Sequence, residues 1–515
     1  MIESDQLIKK ICGIYPFAVL FYDDNVICGE KVKKYETDHF AYWMIDPNES
    51  YINVECFSQL DNKTHNVWEK PGIWACIVKD KRTNNFRAIS SINNELPWYY
   101  SSKFPKIISN NLFLFLKATG LKQVNFDAVS SFLALDWCLG GETFIKDIKK
   151  SYGGDIIYLD ENKLKIVSII LEDWLGFDES IKDINLLVDR FIEVISDSLK
   201  HPNAQLTLTA GKDSRTILAG ALKSGRNFSL MTGVPPSTSK LDIKIPIKIA
   251  KILNIKHDLI DESSKEIIDL NSMLNHLTLE TNAEYSPRKW FNFYKEYVRG
   301  DYASKDILRL MGYGGEIFSG FYNDVMKKIS WKTQFLELKS KEAVCELANQ
   351  LLTRYRNISP DNSRDLFYQR ERDHFWVGAN IRAMINYTKI LTPFKEPSVL
   401  SMGYRMQGGI RNAKIHKSMI NILPDKLSKI PTNGNKLVNL SKKLKNKIYR
   451  RKNINLSLET SFIINNLDYD LFTGIISHEK IKKMLLLYKA TGTYDEILHK
   501  MVAINRFFTL VNKNE

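Results

Sequence analysis

The feature that most constrains this chain is an alternation of strand-like and helix-like segments near its middle. Residues 205–209 read as a strand, residues 215–223 as a helix and residues 228–232 as a second strand. Ile243, Ile247, Ala250 and Leu253 then fall on one face of another helix, in which Pro246 is tolerable only within the first turn. Residues 256–260 complete the series. Parallel strands cannot be joined by a tight turn, so strand, helix, strand, helix, strand in this short span implies a parallel sheet with crossover helices. A helix precedes it, with Ile184, Leu187, Val188, Phe191, Ile192, Ile195 and Leu199 on one face. From about residue 325 the pattern is mainly helical, and no repeat of fixed period is present.

The first 165 residues follow another rule. Short aromatic and β-branched runs, such as residues 17–22 and 72–78, are broken by Asp, Asn and Gly, as in antiparallel sheet. A helical stretch at 124–139 interrupts them, and residues 155–159 form a further strand. At 515 residues the chain exceeds one hydrophobic core. The expected architecture is an α+β domain over residues 1–165 and a linker over 166–184. An α/β domain with a doubly wound parallel sheet and a helical C-terminal part follows over 185–435, then a basic helical extension over 436–515.

Composition narrows the function classes. A hydrophobic fraction of 44% and a charged fraction of 26% exclude a disordered, collagenous or membrane-embedded chain. The net charge of +14 invites a polyanionic partner, with nucleic acid, an anionic glycan and an acidic membrane face all open. The basic cluster at 436–452 has two readings, a solvated helix face or a dock for an acidic partner. Cys12, Cys28, Cys56, Cys76, Cys138 and Cys345 include no pair at zinc-knuckle or redox spacing, as expected of reduced core thiols. Residues 11–22 follow Lys9 and Lys10 but end at Asp23 and Asp24, which fits a buried strand better than a signal segment. No apolar run is long enough to span a bilayer. The expectation is a soluble cytoplasmic protein.

The main chemical signal is the turn that leaves the first strand of the alternation. Thr209, Ala210, Gly211, Lys212, Asp213, Ser214 and Arg215 connect a strand end to a helix start. Such a place suits phosphate oxygens, because unpaired amides point outward and the helix dipole favours negative charge. Gly211 permits close backbone approach, Ser214 offers a hydroxyl donor, and Asp213 can hold a magnesium ion bridging phosphates. The plain alternative is an ordinary turn capped by Asp213 or Ser214.

These residues resemble the SGGxDS pyrophosphate loop of the ATP pyrophosphatases, in the form found in asparagine synthetase-like enzymes. Later elements recur in the family's order. Thr232 and Gly233 end its second strand, followed by an acidic Asp242, a helix through Ala250 and a third strand at His257. Residues 310–322, with Met311, Gly312, Gly314, Gly315 and Glu316, resemble its GxGGDExxxGY loop. Thr392, Pro393 and Phe394 resemble its PF element, and Lys414 and Lys417 fall in a basic helix beyond it. The likeness covers roughly residues 185–435. It implies binding of ATP and Mg²⁺, with the metal on Asp213 and Glu316 and the nucleotide along the two loops and residues 230–233.

Residues 72–80, 96–100 and 143–159 resemble strands of a class II glutamine amidotransferase domain. That domain's activity needs a cysteine with a free amine. Cys12, Gly13 and Ile14 resemble its opening but follow eleven other residues, so a retained scaffold without glutaminase activity is expected.

The synthetase-like half also departs from the pattern. Ala210 stands for the loop's first glycine. Arg215 either adds a phosphate contact or makes a salt bridge, and Lys212 either reaches a phosphate or faces solvent. Glu316 replaces an aspartate and either binds metal or caps the next helix. The family's catalytic lysine has no match near residues 430–433, which leaves Lys395 or Lys414 as substitutes. His201 and His257 read as packing residues, and the aromatics around 285–294 as an acceptor pocket or core.

The resemblance implies an AMP- and pyrophosphate-forming carbon–nitrogen ligase using free ammonia or a substrate amine. Its substrate would be a small molecule, a peptide or an acidic glycan. Two rivals stand: an RNA-modifying ATP pyrophosphatase and a non-catalytic nucleotide-binding module. Oligomeric state is not encoded in these motifs.

Overall fold

A computed structural model describes residues 16–22, 24–48, 57, 68, 70–160, 163–168, 175, 178–181, 183–234, 240–261, 306–320, 324–431, 463–491 and 495–512. Cys12, Cys56, the 285–294 aromatics and the basic run at 436–452 lie outside these described residues.

The N-terminal half forms two antiparallel sheets. Its strands are β1 (Val19–Tyr22), β2 (Asn25–Cys28), β3 (Lys33–Glu36), β4 (Phe40–Ile45), β5 (Ala75–Asp80) and β6 (Asn85–Ser90). They continue with β7 (Tyr99–Tyr100), β8 (Ile107–Ser109), β9 (Lys149–Lys150), β10 (Asp155–Asp160) and β11 (Lys163–Ser168). One sheet runs β2-β1-β8-β7-β9, the other β11-β10-β6-β5-β4-β3. Phe21 of the first meets Phe86 of the second with ring centroids 4.5 Å apart, so apolar faces pack between them. Helix α1 (Leu112–Thr119) starts where Asn111 accepts from the Leu114 amide and stops at a left-handed Gly120. Helix α2 (Phe126–Leu135) is capped likewise by Asn125, and is shorter than the helical stretch expected at 124–139.

The second half contains a five-stranded parallel sheet, as the alternation requires. Its strands are β12 (Ala204–Thr207), β13 (Ser229–Val234), β14 (His257–Asp261), β15 (Leu308–Leu310) and β16 (Lys389–Leu391). They lie in the order β14-β13-β12-β15-β16, every neighbouring pair parallel. Helix α3 (Ile184–Ser198) precedes the sheet, α4 (Lys212–Ser224) joins β12 to β13, and α5 (Lys240–Leu253) joins β13 to β14. Leu206, Leu230, Leu310 and Ile390 are buried at its centre. After β14 the order reverses, because β15 lies on the other side of β12. Connections diverging from two adjacent strands leave a crevice at their carboxyl ends.

Two local expectations need correction. Helix α4 begins at Lys212 rather than 215, so Asp213 lies in its first turn. Pro246 sits in the second turn of α5, beyond the first-turn limit expected for it. Its ring keeps a helical φ and removes one backbone donor, which the helix absorbs with Pro246 buried. The described residues after 325 are mainly helical, as expected, and include one short strand, β16, whose three residues carry no strand periodicity.

The later helices return to the first half. They include α6 (Leu338–Ile358), α7 (Ser363–Phe367), a π-helical run (Tyr368–Val377), α8 (Gly378–Met384), α9 (Pro397–Arg405), α10 (Ile415–Ile422) and α11 (Asp495–Asn512). Phe507 of α11 meets Phe113 at 5.2 Å and Phe144 at 5.4 Å between ring centroids. Glu371, on the π-helical run, accepts from Tyr152 Oη at 2.9 Å, Tyr355 Oη at 2.6 Å and the Gly140 amide at 2.8 Å. Cys28, Cys76, Cys138 and Cys345 are free thiols. Among the described residues no helix is long and apolar enough to cross a membrane.

Lys500 of α11 is buried, with Nζ 2.5 Å from Asp136 Oδ1 and 3.0 Å from the Leu133 carbonyl. Burial opposes ionisation of Asp136, yet Lys500 and Lys332 hold its carboxyl below the usual carboxylate range. Replacing Lys500 by Met leaves that carboxylate with the more distant Lys332 alone, at 3.5 Å. The expected loss is about 3 kcal/mol of stability in urea denaturation; an unchanged midpoint would show that α11 docks through its aromatic face alone.

Candidate nucleotide site at the sheet crevice

The first loop leaves β12 and is shaped by its own side chains. The Thr209 amide donates to Ser214 Oγ at 3.1 Å, and the Gly211 amide to Thr209 Oγ1 at 3.1 Å. The Ala210 amide donates to Asp242 Oδ1 at 3.3 Å, which ties the loop to the first turn of α5. Ser214 is buried and its hydroxyl is engaged inside the loop, so it holds the turn's shape and is not the free hydroxyl donor expected for a ligand. Gly211 is the N-cap of α4, and no side chain caps this helix start. By helix geometry the amides of Lys212, Asp213 and Ser214 have no acceptor within the helix, so a ligand's anionic oxygens can meet them there.

The second loop follows β15 on the opposite wall of the crevice. The Met311 amide donates to the Leu391 carbonyl at 2.9 Å, fixing where the loop departs. Its glycines are demanded by close approach. A Cβ on Gly315 would lie 2.5 Å from Asp213 Oδ1, and one on Gly312 would lie 3.2 Å from Asp213 Cβ. Gly314 has φ +87°, and a Cβ there would stand 2.6 Å from Lys395 Cγ. The two loops therefore meet on Asp213. Among the described residues, the buried Glu316 Oε2 has no hydrogen-bond partner. Burial, and then the neighbouring Asp213 charge, push the Glu316 carboxyl above its ordinary pKa.

Asp213 has a partner that the motifs did not announce. His416 Nε2 lies 2.6 Å from Asp213 Oδ1, across 203 residues of sequence. The imidazole is stacked on Phe394 at 5.1 Å between centroids and 24° between planes. Phe394 also meets Phe191 at 4.8 Å and Phe318 at 5.8 Å, so the Pro393–Lys395 turn underlies both loops. His416 lies two residues beyond Lys414, in the helix singled out for its lysines; no local spacing distinguishes it.

Four proposed site residues take other roles. Arg215 is 1% exposed and directs its guanidinium away from the loop, to the carbonyls of Ile430 and Pro431, each at 2.5 Å. It anchors α4 through these two carbonyls, and among the described residues it forms no salt bridge. Thr232 is buried, its hydroxyl donating to the Leu208 carbonyl at 2.7 Å and lying 2.9 Å from His257 Nε2. Lys395 is wholly buried (0% exposed), with Nζ 2.9 Å from Asp373 Oδ2 and 3.1 Å from Glu95 Oε1. Burial works against its ammonium, but the two carboxylates more than compensate and raise its pKa. An amine so enclosed cannot reach a substrate, so Lys395 is a positioning residue. Lys414 is exposed and lines a separate cavity with Asp183, Met406, Gly408 and Asn412. Among the described residues no side-chain bond joins Lys414 to either loop.

No protein-family model matches the chain, and no curated protein matches its sequence.

The residue after Lys395 gives a pH signature. Burial lifts the Glu396 carboxyl to about 7, against the Gly72 amide that favours its ionised form and with a contribution from the Glu95 charge. A carboxyl with a raised folded pKa takes up a proton on folding between pH 4.5 and about 7. Its contribution is therefore fully present below pH 4.5, falls as pH rises through that window, and stays low above it. Glu396→Gln is expected to match the parent at pH 4.5 and to exceed it by up to about 3 kcal/mol at pH 8. Denaturation curves at the two pH values check this; equal gains at both would remove the assignment.

Proposed function

We propose that this protein is an ATP-dependent ligase that joins a carboxylate to an amine or ammonia, of the asparagine synthetase-like type. The observation that carries the reading is the meeting of two glycine-bearing loops on Asp213, at the switch point of a parallel sheet. The motif order along residues 185–435 supports it. In this reading the parallel sheet is of the ATP pyrophosphatase type and the N-terminal sheets are an amidotransferase scaffold.

The reaction divides into two displacements. A substrate carboxylate oxygen attacks the α-phosphorus of ATP; the new O–P bond forms as the α,β-bridging P–O bond breaks, giving acyl-adenylate and pyrophosphate. The amine nitrogen then attacks the acyl carbon, the bond to AMP breaks, and the nitrogen loses its extra proton. The start of α4 would receive the pyrophosphate oxygens, with Gly211 and the amides of Lys212 and Asp213 aimed at the charge that develops there. Thr209, Ser214 and Asp242 keep that loop in shape, and Arg215 fixes the helix behind it. Residues 230–233 and Met311 with Gly312 would flank the adenosine.

Asp213 and Glu316 fit a magnesium ion carried by the phosphates. The Asp213 charge contributes to the raised pKa of Glu316, and among the described residues the buried Glu316 Oε2 has no hydrogen-bond partner. Mg²⁺ bound there would neutralise charge on the departing pyrophosphate. His416 orients the Asp213 carboxylate by its hydrogen bond, as partners of metal-binding carboxylates do.

The amine in Cys12 is part of a peptide bond in this sequence, so the nucleophile would be free ammonia or a substrate amine. The charge of +14 favours an acidic carboxylate donor or acceptor, such as a glycan, a peptide or a small precursor. A second reading, nucleotide binding without catalysis, draws on the burial of Lys395. Tight ATP binding with no pyrophosphate released by any carboxylate would select it.

Asp213→Ala is expected to lower ATP–pyrophosphate exchange by at least about a hundredfold while far-UV circular dichroism stays unchanged. Glu316→Gln should weaken the dependence of exchange on magnesium, and glutamine should yield no glutamate. Full exchange in the Asp213 variant would end the proposal.

A further inference from the structure

The segment after β6 is held firmly within the N-terminal half. The Ser91 amide donates to the Trp74 carbonyl at 2.8 Å, and Asn94 Nδ2 to the Ser151 carbonyl at 2.7 Å. Ser91 Oγ donates to Glu95 Oε2 at 3.1 Å, which orients that carboxylate. From this anchored segment two groups reach across to a single residue of the other half. Asn93 Nδ2 donates to the Lys395 carbonyl at 2.7 Å, and Glu95 Oε1 lies 3.1 Å from Lys395 Nζ. Asp373 meets the same ammonium from the π-helical run. The stem of Lys395 is the surface on which Gly314 rests.

A buried lysine is a weak source of stability, since a hydrophobic side chain of equal volume usually serves as well. What the two carboxylates and the amide provide is a fixed backbone and a fixed rotamer for Lys395. We infer that the N-terminal half braces the second loop of the crevice, with Asn93 and Glu95 as positioning residues acting through Lys395 on Gly314. Its effect on a nucleotide rests on the function proposed above; the bracing itself belongs to the ligand-free chain. Glu371 supplies an internal contrast. It also joins the two halves, through Tyr152, Tyr355 and Gly140, but none of these partners belongs to either loop.

The test compares Glu95→Gln and Glu371→Gln with the parent by hydrogen–deuterium exchange without ligand, and by titration with a non-hydrolysable ATP analogue. Glu95→Gln keeps the side chain's shape and leaves Lys395 neutralised by Asp373. It is expected to speed exchange of residues 311–316 on the order of tenfold, and to weaken analogue binding by a similar factor. Glu371→Gln is expected to lower the thermal midpoint without either effect. Should Glu95→Gln fail to fold, Asn93→Ala removes only the bond to the Lys395 carbonyl and should give the same loop signature. Unchanged loop exchange in the Glu95 variant, or an equal change in the Glu371 variant, overturns the brace. Loosened loop exchange with unaltered analogue binding overturns its role at the site. A parent chain that binds no analogue, yet shows the exchange contrast, sinks the ligase and leaves the brace standing.

Discussion

A lysine with no exposure, held between two carboxylates, is the interaction on which the crevice depends. Lys395 takes one partner from the N-terminal half, Glu95, and one from the helical half, Asp373. Its backbone belongs to the turn whose Phe394 ring carries His416, and its stem carries Gly314. An unpaired ammonium at this depth would be driven to lose its proton, so the two carboxylates are what permit a lysine here at all. Both walls of the crevice thus lean on the same three-residue turn. One wall is reached through His416 and Asp213, the other through Gly314.

The parallel sheet supplies the second constraint. Because β15 lies beside β12 and not beyond β14, the loops that follow β12 and β15 diverge to opposite sides of a gap. The gap is then narrowed by glycine. A Cβ at 315 would overlap the Asp213 carboxylate and one at 312 would press on Asp213 Cβ at 3.2 Å, so the close approach of the second loop depends on glycine there. The electrostatic result is a pair of carboxyls, Asp213 and Glu316, at the start of a helix that favours negative charge. Burial and the nearby Asp213 charge together push the Glu316 carboxyl above its ordinary pKa.

The N-terminal half is bound to the rest by polar groups that leave little freedom. Glu371 gathers two tyrosine hydroxyls and a backbone amide, Asn93 and Glu95 hold Lys395, and Lys500 returns the last helix to Asp136. These contacts run between elements that a division at residue 165 would separate, and the buried apolar residues likewise form one cluster through both halves. A scaffold attached in this way is a working part of the other half's geometry.

The amino-acid sequence by itself determined the strand–helix alternation, the antiparallel character of the first 165 residues, and the positions of both glycine-bearing loops. Each of these is written in the period of apolar residues or in turn chemistry, which act over a few neighbouring positions. The tertiary structure decided the rest. It set the reversal of strand order and placed β16, a strand too short to show a period. It joined His416 to Asp213 across 203 residues, turned Arg215 toward the Ile430 and Pro431 carbonyls, and enclosed Lys395. The reason is physical: a charged residue's role follows from which surfaces close over it. That depends on packing between segments hundreds of residues apart, about which local periodicity carries no information.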